Sequence, residues 1–161
     1  MQTALTSTTT TDYPVIAHLL EECSAELLRF CGEDAGVGGA LLASLDGGRG
    51  APSRDSLQIV ADSWPVGAAV VEHRCVFDQG EGHTIGAFCI ERAWRRRGVG
   101  QTAAMQIFDL FRGRWEIATL AQNVPATAFW RAVVDRYSRG RYDERWLHKD
   151  SSHYIVQIFQ S

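Results

Sequence analysis

The run Arg95-Arg96-Arg97-Gly98-Val99-Gly100-Gln101 is the part of the sequence best equipped for chemistry. It lies between a strand-like and a helix-like stretch. A strand, a tight turn and a helix N-terminus together aim free backbone N–H groups and the positive end of a helix dipole at an anion. Two glycines let a phosphate approach the backbone, so a pyrophosphate fits here. The turn lacks the Lys-Ser/Thr ending of a Walker A loop, and its G-x-G lacks the third spaced glycine of a dinucleotide fingerprint. Groups able to move a proton stand nearby: Glu91 at the end of the strand, and Asp78, Glu81 and His83 before it. Of these, histidine is the side-chain type that titrates closest to neutrality. Exposed loop positions account for Asp78, Glu81 and His83 better than catalysis does, and a pairing with Arg92 or Arg96 is likewise the better account of Glu91.

The remaining reactive residues exclude more than they suggest. The 16 basic residues are 15 Arg and a single Lys, Lys149, which leaves no lysine for a Schiff base or a P-loop. Cys23, Cys31, Cys75 and Cys89 are spaced 8, 44 and 14 apart, so no C-x-x-C pair exists for zinc or redox work. They read as free thiols in a reducing compartment, and no metal is expected. With 161 residues, 45% hydrophobic and 22% charged, the chain reads as one soluble domain over 1–161, its first ten residues a ragged tail or an edge strand. A net charge of −3 gives no global attraction to nucleic acid or an anionic membrane. The N-terminus has no basic, apolar signal-peptide pattern and no run of 18 apolar residues occurs, so a cytoplasmic protein is expected.

The elements that must position these residues follow from spacing. Thr3–Thr9 suits a first edge strand. Asp12 reads as an N-cap, and Val15, Ile16, Leu19, Leu20, Cys23 and Leu27 recur at helical spacing to about Phe30. The glycine-rich stretch 32–56 reads as a loop, with a short helix near Val37–Ser44, and suits a mobile lid or a plain surface connection. Leu57–Ala61 and Val66–Glu72 form a hairpin turning at Asp62 to Pro65, and Thr84–Glu91 is a third strand. A helix over Val99–Arg112 presents Gly100, Ala104, Ile107, Phe108 and Phe111 on one face. Trp115–Leu120 is a strand. A helix after Pro125 carries Ala126, Phe129, Trp130, Val133 and Val134 as its apolar stripe, and Tyr154–Phe159 is the last strand. This order predicts an α/β sandwich with helices on both faces of one sheet.

Arg95, Gly98 and Gly100 match the [QR]-x-x-G-x-[GA] signature of the GNAT-type N-acetyltransferases, which the chain resembles over nearly its full length. Ile90 stands five residues before Arg95, where the family has a cofactor-contacting aliphatic. Asn123, Ala126, Phe129 and Trp130 resemble the family's N-x-x-A-x-x-[LF]-[YW] run. The resemblance implies a GNAT fold with a central mixed, mostly antiparallel sheet. It also implies direct transfer of an acetyl group from acetyl-CoA to an amine of a small molecule or an exposed amino group. The N–H groups of Arg97, Gly98, Val99, Gly100 and Gln101 would then hold the pyrophosphate. The main chain near Ile90 and Arg92 would pair with the pantetheine arm like an added strand. Asn123 and Phe129 would contact the arm, and Arg92, Arg95, Arg96 and Arg97 the phosphates. With only Trp94 interleaved among these arginines, nucleic-acid binding is not expected.

Two departures from the family bear on catalysis. The slot of its fourth-strand Glu falls on Gly86 or Ala87, which leaves Glu91 or His83 to relay a proton through water. Trp130 stands where the family usually has a Tyr beside the thiolate, and an indole N–H donates a hydrogen bond but no proton. Tyr137 and Tyr142 are weaker substitutes. A second reading therefore stays open: a catalytically weak GNAT-fold module that binds acetyl-CoA as a ligand or meets a partner. The acceptor and the oligomeric state are not written in the residues, and a homodimer stays open.

Overall fold

The computed structural model describes residues 2–8, 12–31, 54–78, 80–149 and 151–161. β1 (Thr3–Ser7) is followed by α1 (Tyr13–Cys31), with Pro14 in the first turn, where a missing N–H costs nothing. Ile16, Leu19 and Leu20 are its buried stripe. β2 (Arg54–Ala61) and β3 (Trp64–Glu72) form the hairpin. Its turn is only Asp62 and Ser63, at φ 47° and 71°, the left-handed pair whose twist matches paired strands. Trp64 and Pro65, expected in the turn, therefore belong to β3. Next come β4 (His83–Ile90), a 3-10 turn (Arg92–Trp94), α2 (Val99–Leu110), β5 (Arg114–Leu120), α3 (Val124–Ser138), β6 (Asp143–Lys149) and β7 (Ser152–Gln160).

All seven strands join one sheet in the order β1-β2-β3-β4-β5-β7-β6, antiparallel except where β4 meets β5. α1 covers one face, packing Ile16 and Leu20 on Ala68, Val70, Ala87 and Cys89. α2 and α3 cover the other, where Ile107, Phe108, Trp130 and Val133 meet Ile59, Val71, Ile117 and Phe159. The expected sandwich, mostly antiparallel with helices on both faces, is the observed one.

Four expectations need amendment. The first strand ends at Ser7 and not Thr9, and residues 54–56, read as loop, begin β2. The rest of that loop and its short helix lie outside the described residues. β6 was not anticipated, because six of its seven residues are exposed and show no period-2 alternation. Its charges suit a sheet edge that must not pair with another chain. Finally, Cys23 and Cys89 are not free thiols but a disulfide, with Cα atoms 6.2 Å apart across 66 residues of chain. Sequence spacing carries no sign of it, because helix α1 and strand β4 meet only in the folded protein. Cys75 is free and buried, its thiol pKa pushed up first by burial and then by Glu116. Among the described residues no helix is long and apolar enough to cross a membrane.

Candidate functional site

The parallel pair β4 and β5 is joined at only two positions, His83 opposite Trp115 and Thr84 opposite Glu116. A β-bulge follows at once. Ala87 opposes Val70 and Ile85 opposes Val71, so Gly86 is an extra residue in β4. A bulge bends its strand and raises the local twist, which turns β4 away from β5. Between Ile85–Ile90 and Ile117–Leu120 the sheet is therefore split. α2 and α3 begin just beyond the C-terminal ends of β4 and β5, so both helix N-termini stand at the open end of the split.

The turn before α2 is built for an anion. Gly98 is the N-cap at φ 84°, with no side chain capping the helix. The first bond of the helix runs from Thr102 N to the Gly98 carbonyl. The N–H groups of Val99, Gly100 and Gln101 thus precede the helical ladder and point outward. The two glycines have different tasks. A Cβ on Gly98 would meet nothing within 4 Å, whereas one on Gly100 would touch Ile90 and Phe129 at 3.4 Å. Gly98 supplies the left-handed turn and open space. Gly100 faces Ile90 and Phe129 at a distance where a Cβ would make ordinary van der Waals contact.

Arg95 does not reach outward. Its Nε donates to the Ile90 carbonyl (2.7 Å) and its terminal nitrogen to Glu26 of α1 (2.7 Å), so it clamps the turn to the body of the protein. Arg92, Arg96 and Arg97 are exposed around the helix end, Arg96 at φ 60° and Arg97 lying 5.5 Å from the Trp94 ring centroid. Asn123 caps α3, its side-chain oxygen accepting from Ala126 N. Phe129 stacks on Phe88 of β4. Trp130 is 7% exposed and packs edge-on against Phe88 and Phe129, as part of the core.

The two candidate bases are at opposite ends of β4. Glu91 lies just past Ile90, its N–H bonded to the Val66 carbonyl and its own carbonyl accepting from Trp94 N. His83 begins the strand at the joined end. Its Nε2 donates to the Arg112 carbonyl (3.1 Å) and its Nδ1 faces His73 Nδ1 (3.0 Å), while His73 Nε2 bonds Asp55 (2.7 Å). Both ring nitrogens of His83 are thus engaged away from the split. Asp78 pairs with Arg114. Tyr137 donates to Asp109 (2.9 Å), and its pKa is pushed up to about 12, mainly by burial. With Tyr142 it lines an open groove of about 990 Å³ at the C-terminal ends of α2 and α3, remote from the turn.

Two carboxylates escaped the sequence reading. Glu116 of β5 is fully buried, and its Oε2 accepts from Val76 N (2.9 Å) and Phe77 N (3.1 Å), fixing the chain that leads into β4. Glu72, the last residue of β3, is 8% exposed and holds Arg54 at 3.1 Å and Arg74 at 3.2 Å. Its carboxylate lies against the bulge: a Cβ on Gly86 would stand 3.1 Å from Glu72 Oε1. A signal was present. Ala68, Val70 and Glu72 share one face of β3, so a carboxylate continues an otherwise apolar row.

No family model matches the chain, and no curated protein is similar enough in sequence to match it. Solved structures do match. An acetyltransferase from Thermus thermophilus superposes with a TM-score of 0.70 at 18% identity, covering 100% of this chain and 98% of the other. The PaiA N-acetyltransferase of Thermoplasma acidophilum, in complex with coenzyme A, gives 0.66 at 11% identity, covering 98% of each. The spermidine N-acetyltransferase of Vibrio cholerae, in complex with CoA and spermine, gives 0.66 at 9%, covering 99% of this chain and 95% of the other. The overall fold is shared with these proteins and with a GNAT-family acetyltransferase of Streptococcus agalactiae (TM-score 0.69, 14% identity, covering 99% of this chain and 96% of the other), and this chain has the fold of the GNAT-type N-acetyltransferases.

Proposed function

We propose that this chain is an acyltransferase that moves the acetyl group of acetyl-CoA to a primary amine. The observation that carries the reading is an uncapped helix N-terminus at the mouth of a split between two parallel strands. Acetyl-CoA fits it on chemical grounds. The N–H groups of Val99, Gly100 and Gln101 suit a pyrophosphate, Gly98 leaves the approach open, and Arg92, Arg96 and Arg97 supply exposed cationic donors for further phosphate oxygens. The edges of β4 and β5 offer main-chain groups to an extended amide-bearing arm, and Ile90, Phe129 and Asn123 border that path. Arg95 supports the site by fixing the turn. When bound, acetyl-CoA supplies an acyl group activated as a thioester, and the protein supplies position and a proton acceptor. A supply of acetyl-CoA supports a cytoplasmic location in this reading, whereas the Cys23–Cys89 bond supports a compartment in which disulfides persist.

A second reading, a module that binds acetyl-CoA without turnover, is favoured by Gly86 at the strand slot and by the buried Trp130. Calorimetry with CoA and an acetyl-CoA consumption assay over a panel of amines separate the two. Gly98→Asp places a carboxylate in the anion path, and CoA affinity should fall at least tenfold, about 1.4 kcal/mol. Unchanged affinity in the folded variant would remove the turn from the site.

A further inference from the structure

The bulge that splits the sheet also brings a carboxylate to its throat. Gly86 is the second residue past the last β4–β5 pair, and the space its side chain would take is occupied by Glu72 of the neighbouring strand, with Oε1 at 3.1 Å and Cγ at 3.3 Å. Arg54 engages Oε1 and Arg74 engages Oε2, which fixes the carboxylate plane. A carboxylate oxygen accepts two hydrogen bonds, so each keeps one free acceptor position. The other candidates are placed elsewhere: Glu91 lies beyond the far end of β4, and His83 is engaged at the joined end.

We propose that Glu72 is the group that receives the acceptor's ammonium and takes its proton, so that β3 supplies the carboxylate β4 lacks. The assignment rests on the acetyltransferase reading above. An ammonium R–NH3+ gives one proton to Glu72, directly or through one water. The freed lone pair attacks the thioester carbonyl carbon, and a C–N bond forms as the C–S bond breaks. A second N–H proton goes to the departing sulfur, so CoA leaves as the thiol. Glu72 then returns its proton to solvent. The substrate class is a primary amine that is cationic at neutral pH.

The test begins with calorimetry of CoA binding. Failure of the wild-type protein to bind CoA overturns the acetyltransferase reading and this assignment with it. With CoA bound, ethylamine and spermidine are titrated into the CoA complexes of wild type and Glu72→Gln. The expected result is at least tenfold weaker amine binding in the variant, with CoA affinity unchanged within about twofold. In turnover, kcat/KM of Glu72→Gln should fall by about 10² to 10⁴, with the gap narrowing as pH rises toward the pKa of the amine. The double variant Glu72→Ala/Gly86→Glu returns a carboxylate to β4 in the space just vacated, and should recover amine binding and the wild-type pH profile. Three results overturn the assignment while leaving CoA binding intact. The first is no amine binding to the wild-type complex. The second is equal binding and equal pH profiles in Glu72→Gln. The third is a double variant that regains thermal stability without regaining amine binding, the mark of an ion pair that only holds β2 to β3.

Discussion

The two ends of β4 are held by different means. At the joined end several polar groups hold one another: Thr84 donates to the Glu116 carbonyl, Glu116 Oε2 accepts two backbone N–H groups, and His83 is engaged at both nitrogens, while Glu116 Oε1 and Arg114 Nε are buried without a hydrogen bond. At the open end a helix begins uncapped and three arginines face outward. Groups already hydrogen-bonded, or buried away from solvent, have little to offer a ligand, whereas exposed uncapped N–H groups do. What ties the open end to α1 is the Cys23–Cys89 bond and the ion pair of Arg95 with Glu26, while Arg95 also donates to the Ile90 carbonyl.

That contrast can be broken by removing each kind of support. Reducing the Cys23–Cys89 bond, which closes a loop of 66 residues, should have the largest effect. The chain-entropy model gives a loss of about 4 kcal/mol. A fall in Tm with added reductant, absent in Cys23→Ser, is the expected sign, and a thiol titration finding both cysteines free in the native protein would refute it. At the joined end, Glu116→Ala leaves Val76 N and Phe77 N without their acceptor. The expected cost is about 3 kcal/mol in urea denaturation, because two half-buried donors lose a charged, fully buried partner. CoA affinity of the folded fraction should stay unchanged, the reverse of Gly98→Asp. Loss of affinity without loss of stability would mean that the joined end belongs to the site.

The smallest effect is one of pH. Burial, and then Asp109, push the Tyr137 pKa up to about 12. The folded state therefore binds this proton more tightly than the unfolded chain, whose tyrosine titrates near 10. The stabilisation is complete below about pH 10 and is lost as pH rises toward 12. The Tm advantage of wild type over Tyr137→Phe should shrink across that window, and a constant difference would sink the assignment.

The elements that bury a stripe were legible from sequence, because periodicity records burial: Ile107 and Phe108 on α2, Val133 and Val134 on α3. The anion turn was legible because glycine spacing and helix position together define it. β6 was not, since an exposed edge strand buries no alternating face. The Cys23–Cys89 pair, the approach of Gly100 to Ile90 and Phe129, and Glu72 beside Gly86 are all meetings between elements distant in the chain. Local pattern cannot report those. Even so, the absence of a carboxylate at Gly86 or Ala87 was visible in the sequence, whereas the nearness of Glu72 to Gly86 was not.

The split itself can be counted rather than measured. Where β3 uses two residues, Val70 and Val71, β4 uses three, Ile85, Gly86 and Ala87. The opening is a surplus of one residue in one strand. No substitution removes a surplus, whereas a single deletion does: without Gly86 the two strands would run in step, and the edge of β4 would be free to zip onto β5. In this chain the gap between β4 and β5 follows from the length of a strand before the identity of any side chain.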